Sequence, residues 1–346
     1  MWKEYCRSAL NMEMTDKVCR TEYSVFQFPD LIKKVTEGMD PETFEAKREF
    51  AKRWDIGVQF GTDFHGDKLG GMSSSMGHAE YAVGGKDRND HISQLFEDPE
   101  DALDFDPEAS LPHYEHQFLV DYFNDKMTTR NTTMPNLVNM TGTYITLMSG
   151  MIAMLGWDTL LSAAGIDLDG FGELVNRYTK WMQHQFDALA KIDSEFIAVH
   201  DDTVWTEGPF ISPDWYRKYI FPNYKKLFEP ILNSGKKIVY VCDGNYTQFV
   251  GDVAECGVTS FVHEPFTDLS YIAEKYGKTH SFVGNADTRV LLFGTKEDIY
   301  NEVKRCMDIG KKYPGFIMAV GNHIPPNTPI DSCLYYDEYC KKLGKR

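Results

Sequence analysis

Lys237-Ile238-Val239-Tyr240-Val241-Cys242-Asp243-Gly244-Asn245 reads as a short apolar strand that stops in a thiol, a carboxylate, a glycine and an amide. Three segments repeat the pattern: Ser260 to Glu264, His280 to Asp287, and Gly315 to His323. Each is apolar along its length and polar at its C-terminal end. Helical stretches follow each of the four, at 246–256, 267–276, 295–311 and 330–343. Alternating strands and helices of this length imply right-handed crossovers and a parallel sheet. Strands buried on both faces read as continuous apolar runs, as these do. The expected fold is α/β, a (β/α)8 TIM barrel with its chemistry on one rim.

Working outward, Asp55 to Phe60 reads as the first strand, ending in Gly61-Thr62-Asp63-Phe64-His65-Gly66. Residues 1–54 read as a helical, polar N-terminal extension, with Asp40 as N-cap and Pro41 at the first position of a helix reaching Arg53. Residues 66–115 are irregular and carry Gly70-Gly71-Met72-Ser73-Ser74-Ser75-Met76-Gly77. Glycine, methionine and aromatic content suit a loop or cap over the barrel mouth. Asn136 to Thr146 and Phe196 to Val199 read as further strands, and Phe171 to Lys191 as an amphipathic helix. The whole chain, 1–346, is expected to form one barrel domain.

Composition narrows the function. A net charge of -16 makes nucleic acid and anionic membrane surfaces unsuitable partners. The seven cysteines form no CxxC pair, which suits reduced thiols and a cytoplasmic protein. Met1 to Leu10 has no apolar core of a secretory signal, and no run of about 18 apolar residues predicts a membrane span.

The strand ends collect Asp63, His200-Asp201-Asp202, Cys242-Asp243-Gly244-Asn245, His263-Glu264, Asn285-Ala286-Asp287 and Asn322-His323. In a closed barrel all would face one mouth. Each alone is ordinarily a turn former or helix cap. Many carboxylates crowded at one rim are costly unless they bind something. Cys242 beside carboxylates and a histidine has the ligand types for zinc, with Glu264 and His323 as companions; an unmetallated thiol is the plain alternative. His263 alternates away from Glu264 and is left aside.

Asp243-Gly244-Asn245, Gly284-Asn285-Ala286-Asp287, Leu292-Phe293-Gly294-Thr295-Lys296-Glu297-Asp298 and Gly321-Asn322-His323-Ile324-Pro325-Pro326-Asn327-Thr328-Pro329 together resemble the uroporphyrinogen decarboxylase superfamily. The likeness is strong over about 195–345 and loose before it. It implies a (β/α)8 barrel with the site in its mouth. The superfamily's decarboxylases clamp a polycarboxylate tetrapyrrole with an arginine-rich N-terminal motif, whereas Lys17 to Leu31 holds only Arg20. Asp63 resembles their pyrrole-binding aspartate. The thiol methyltransferases of the superfamily bind zinc through His-x-Cys and a second cysteine. Here Tyr240 stands in the histidine's place, Cys242 is kept, and Gly321-Asn322-His323 replaces the last cysteine.

His200-Asp201-Asp202-Thr203-Val204-Trp205-Thr206-Glu207-Gly208-Pro209 is similar to the substrate-side methyltransferases of anaerobic aryl-ether O-demethylases. That resemblance implies methyl transfer from an aryl methyl ether to the cobalt of a corrinoid (cobalamin) held by a partner protein. It implies catalytic roles for His323, Tyr240, Asp243 and Asp202. Substrate contacts would come from Asp63, His200, Asn245, Asn285, Asp287 and Met76, and a zinc would sit on Cys242, Glu264 and His323. A porphyrinogen decarboxylase, a methylcorrinoid:thiol methyltransferase and a non-catalytic tetrapyrrole-binding protein are the alternatives.

Overall fold

The computed structural model describes residues 1–23, 25–74 and 94–346. Met76 and the end of the Gly70 to Gly77 loop lie outside the described residues. Nine strands are present among those described: β1 (Cys19–Arg20), β2 (Val58–Gln59), β3 (Val138–Asn139), β4 (Thr141–Thr143), β5 (Phe196–His200), β6 (Lys237–Cys242), β7 (Ser260–His263), β8 (Ser281–Ala286) and β9 (Phe316–Val320). Seven form one sheet in the order β1-β9-β8-β7-β6-β5-β4, and β2 pairs with β3. Every strand pairing is parallel.

The two sheets join into a ring. Ile56 bridges Arg20, and Gly57 donates its N–H to the Arg20 carbonyl at 3.0 Å. On the other side Val138 donates to the Gly57 carbonyl at 2.8 Å, and β3 runs into β4 with only Met140 between. With β3 and β4 sharing one place, the nine strands fill the eight places of the (β/α)8 barrel that the sequence led one to expect. The N-terminal segment differs from its reading as a helical extension. It holds helices Trp2–Leu10, Pro29–Val35 and Phe44–Arg53, but also β1, the strand that seals the ring. A two-residue strand carries too short a pattern to show period-two burial. Helix Phe44–Arg53 is capped by Thr43, which accepts the Ala46 N–H at 3.2 Å, and not by Asp40.

Alternation along the strands sorts the core into two layers. Inside the barrel lie Val58, Val138, Met140, Phe196, Ala198, Val239, Val241, Val262, Val283, Ile317 and Ala319, with Cys6, Ala9 and Leu10 of the first helix packed onto them. The alternate residues, among them Ile197, Ile238, Tyr240, Cys242, Phe261, Phe282 and Met318, pack against the helices. Small and β-branched side chains take most of the narrow interior, beside Met140 and Phe196, and most large aromatics take the wider layer outside it. By length and composition helix Met148–Ile166 is apolar enough to cross a membrane. Here it lies largely in the core, broken at Gly156, whose φ is 73°.

Candidate active site

Alternation carries past the strand ends and decides what enters the mouth. On β5, Phe196 and Ala198 point inward, so His200 does too, and Asp202 follows two residues on. On β6 the inward series is Val239, Val241 and then Asp243. These ends meet. His200 Nε2 lies 3.2 Å from Asp202 Oδ1, and the Asp243 N–H donates to that same oxygen at 3.3 Å. Asn322, past the end of β9, donates to Asp243 Oδ2 at 3.2 Å and to Glu264 Oε1 at 2.7 Å. Glu264 Oε2 accepts the Gly244 N–H at 2.8 Å. Gly244 has φ 77°, and a Cβ there would come 2.6 Å from the Trp205 carbonyl oxygen, so the turn requires glycine.

His200 is 6% exposed and held from outside the cluster. Its Nδ1 donates to the Tyr144 carbonyl at 3.2 Å, and its ring stacks on the Tyr144 ring at 4.0 Å and 6°. His65 stacks on Tyr144 in turn, at 4.9 Å. Burial alone would push the His200 imidazole down. The charge and hydrogen bond of Asp202, with the charge of Asp243, outweigh it and push the pKa up to about 9. The same pairing holds Asp202 below its ordinary value despite burial. Asp243 goes the other way: burial, then the charges of Asp202 and Glu264, raise its carboxyl well above the usual range.

The family model of uroporphyrinogen decarboxylase (URO-D) matches residues 109–343, more than half of the chain. The chain belongs to the uroporphyrinogen decarboxylase family. Relatives named uroporphyrinogen decarboxylase include that of Geobacter sulfurreducens, 24% identical over 61% of this chain and 61% of that protein. That of Thermus thermophilus is 26% identical over 49% of this chain and 48% of its own length. The chain thus spans about 61% of the length of the first of these. Among solved structures, a methyltransferase from Methanosarcina mazei superposes with a TM-score of 0.64 at 17% identity, over 99% of this chain and 98% of that one, a likeness of fold.

Within this family fold several expected site residues stand elsewhere. Tyr240 and Cys242 face the helices, both 0% exposed. The Tyr240 hydroxyl lies among Tyr224 Oη (3.3 Å), Thr203 Oγ1 (3.5 Å) and the Asp201 carbonyl (3.4 Å). Cys242 Sγ lies 3.3 Å from Thr203 Oγ1, and burial pushes its thiol well up. The expected zinc set of Cys242, Glu264 and His323 therefore does not converge. Cys242 is on the wrong side of the strand wall, and His323 is exposed, its ring edge-on to Tyr23 at 6.2 Å. Among the described residues, the His, Cys, Asp and Glu donors that gather as a group of three, all within 4.8 Å of one another, are those of His200, Asp202 and Asp243.

Asp63 is engaged by Arg130 through two bonds of 2.6 and 2.8 Å and by the Thr141 hydroxyl. Asn285 is buried, donating to the Glu264 and Thr267 carbonyls at 3.1 Å each and accepting from Arg305. Asp287 caps helix Thr288–Phe293 and pairs with Arg289. Asn245 accepts the Thr247 N–H and hydroxyl, an ordinary turn contact. His263 faces outward, as alternation requires. Neither ring nitrogen has a partner, and burial, then Arg305, drive its pKa down to about 3. Tyr144, His65 and Tyr23 were not singled out from the sequence. His65 and Tyr144 follow strand ends but stood apart from the carboxylate and amide pattern used to pick site residues, and only the closed ring brings the three together at the mouth.

Proposed function

We propose that the chain transfers a methyl group from an aryl methyl ether to the cobalt of a corrinoid carried by a separate protein. The observation that carries this reading is the polarity of the mouth. It gathers His200, Asp202, Asp243, Glu264 and Asn322, and among the described residues the arginines Arg20 and Arg130 are spent. Arg20 is 2% exposed, bonded to Glu22 at 3.1 Å, Asp337 at 2.6 Å and the Trp54 carbonyl at 3.1 Å. Arg130 is taken by Asp63. Among the described residues, a substrate with several carboxylate arms would meet like charges here without a bidentate partner. An uncharged ether would not.

The corrinoid, when docked, supplies the cobalt nucleophile that receives the methyl group. The protein's own task is the other half of the bond. As the methyl–oxygen bond breaks, negative charge gathers on the phenolate oxygen, a poor leaving group that needs positive charge or a proton. The His200–Asp202–Asp243 cluster stands where that oxygen is met. Asn322 fixes Asp243, and the Tyr144 carbonyl fixes His200, so the groups are oriented before the substrate arrives. Tyr144, 39% exposed beside His200, gives the aryl ring an aromatic neighbour.

The test offers the purified protein cob(I)alamin with a panel of methoxylated aromatics and, separately, a uroporphyrinogen. Expected are methylation of the cobalamin, followed in the visible spectrum, and release of one phenol per methyl. The names of the curated relatives favour the decarboxylase as second reading. Turnover of the porphyrinogen alone would establish it and sink the first.

A further inference from the structure

Cys242 faces away from the mouth, yet another donor set converges there. We propose that His200 Nε2 and one carboxylate oxygen each of Asp202 and Asp243 hold a divalent first-row cation of the zinc class. The inference deepens the reading above, on which its Lewis-acid role rests, while the metal site itself is argued from the residues in the mouth.

Four observations carry it. First, the donors lie within 4.8 Å of one another, and His200 Nε2 to Asp202 Oδ1 is 3.2 Å. Bonds of roughly 2.0–2.1 Å to a tetrahedral ion put neighbouring ligand atoms about 3.3 Å apart. One edge already has that length, and the third donor needs to close by at most about 1.5 Å. Second, the histidine is oriented as metal-bound histidines are. Its Nδ1 is spent on the Tyr144 carbonyl and its ring is fixed against Tyr144, which leaves Nε2 facing the carboxylates. Third, the second carboxylate is steadied from outside the cluster, by Asn322 on Asp243 Oδ2. Fourth, the Tyr23 hydroxyl is buried without a partner, and Asp243 and Glu264 are the charges that act on it. A buried phenol normally finds a hydrogen-bond partner, and this one is left to donate to a ligand oxygen or a water.

The donor types fit the ion. One imidazole and two carboxylates form a hard nitrogen and oxygen set, suited to an oxygen-bearing substrate more than to a thiol. Three protein ligands leave a position open, as catalytic zinc sites do. A cation so held would act as a Lewis acid toward the ether oxygen.

The test uses the full chain purified without chelator and measures metal content by elemental analysis. Cobalt(II) is then bound to the stripped protein and its absorption recorded. Expected is about one equivalent of metal, and a cobalt spectrum lacking the near-ultraviolet charge-transfer band of a thiolate ligand. His200→Ala and Asp243→Asn should weaken binding at least about 10²-fold while circular dichroism and melting stay near those of the parent. Cys242→Ser should bind as the parent does. Substoichiometric binding by the parent, a thiolate band, or loss of binding in Cys242→Ser alone would overturn the assignment. Metal-free protein that still methylates cob(I)alamin at the full rate would sink this inference and leave the methyltransferase reading intact. Metal on these residues with porphyrinogen as the sole substrate would do the reverse.

Discussion

Cys242 and Asp243 are neighbours in the chain and lie on opposite sides of the barrel wall. The thiol packs among helix-facing aromatics, and the carboxylate meets Asn322 in the mouth. On β6 it is therefore the residue after the strand, and not the cysteine that closes it, that reaches the mouth.

This opposition predicts unequal mutants. Asp243→Asn keeps the shape but removes the carboxylate, and methyl transfer should fall about 10²- to 10³-fold. Cys242→Ser leaves the mouth untouched. It should keep nearly full activity and cost about 1 kcal/mol of stability for a hydroxyl in an apolar layer. Initial rates under saturating ether, with urea melts of both variants, decide the matter. Equal losses from the two would mean that the strand faces the mouth the other way.

Asp63 makes a second case. Its expected place in the substrate pocket competes with the bidentate bond to Arg130, at 21% and 10% side-chain exposure for arginine and aspartate. The pair joins the end of β2 to helix His116–Thr133. Removing one partner of a buried pair costs about 3 kcal/mol, because the other charge stays behind. Arg130→Met should therefore destabilise by about that amount, and Asp63→Asn placed on top should recover part of it. A double-mutant cycle with a coupling energy near zero would show that the pair holds nothing together.

His263 predicts a pH dependence of stability. Its folded pKa is pushed down to about 3, against roughly 6.5 in the unfolded chain. Between those values the unfolded state binds a proton that the folded state refuses, so stability falls as pH drops below 6.5. At pH 5 the loss is about 2 kcal/mol, from about 1.5 pH units at about 1.36 kcal/mol each. His263→Leu removes the titrating group and two unpartnered ring nitrogens. The difference in unfolding free energy between pH 7.5 and pH 5 should shrink by that amount. An unchanged difference would mean that the imidazole finds a partner in solution.

The sequence showed the barrel from β5 onward, where strands of four to six residues carry a full apolar pattern. It also put Asp202 and Asp243 on the rim. It drew β2 longer than it is, as Asp55 to Phe60, and it did not show β1 or the split of β3 and β4, because two or three residues carry no period and their pairing is set by distant chain. Which face of β6 turns inward was the harder question. Lys237 to Cys242 is apolar on both faces, so polarity gives no phase, and a shift of one residue exchanges Tyr240 and Cys242 for Val241 and Asp243. Packing resolves it after the fact: Val239 and Val241 lie in the barrel interior, while Tyr240 and Cys242 pack in the helix layer.

Arg20 offers the sharpest separation between the two family chemistries. In a decarboxylase the N-terminal arginines are expected on substrate carboxylates. Here the guanidinium lies between the rings of Trp54 and Tyr336, at 5.1 and 5.0 Å, and ties β1 to helix Ile330–Leu343 through Asp337. Glu22, bonded to it and to the Val320 N–H, would be left buried and short of its countercharge. Arg20→Ala should cost about 3–5 kcal/mol. Arg20→Lys should recover little of it, since one ammonium cannot span Glu22, Asp337 and the Trp54 carbonyl as a planar fork does. The folded fraction of either variant should keep the parent's KM for the methyl donor. A raised KM with parental stability would place Arg20 on the substrate and return the chain to the decarboxylase reading.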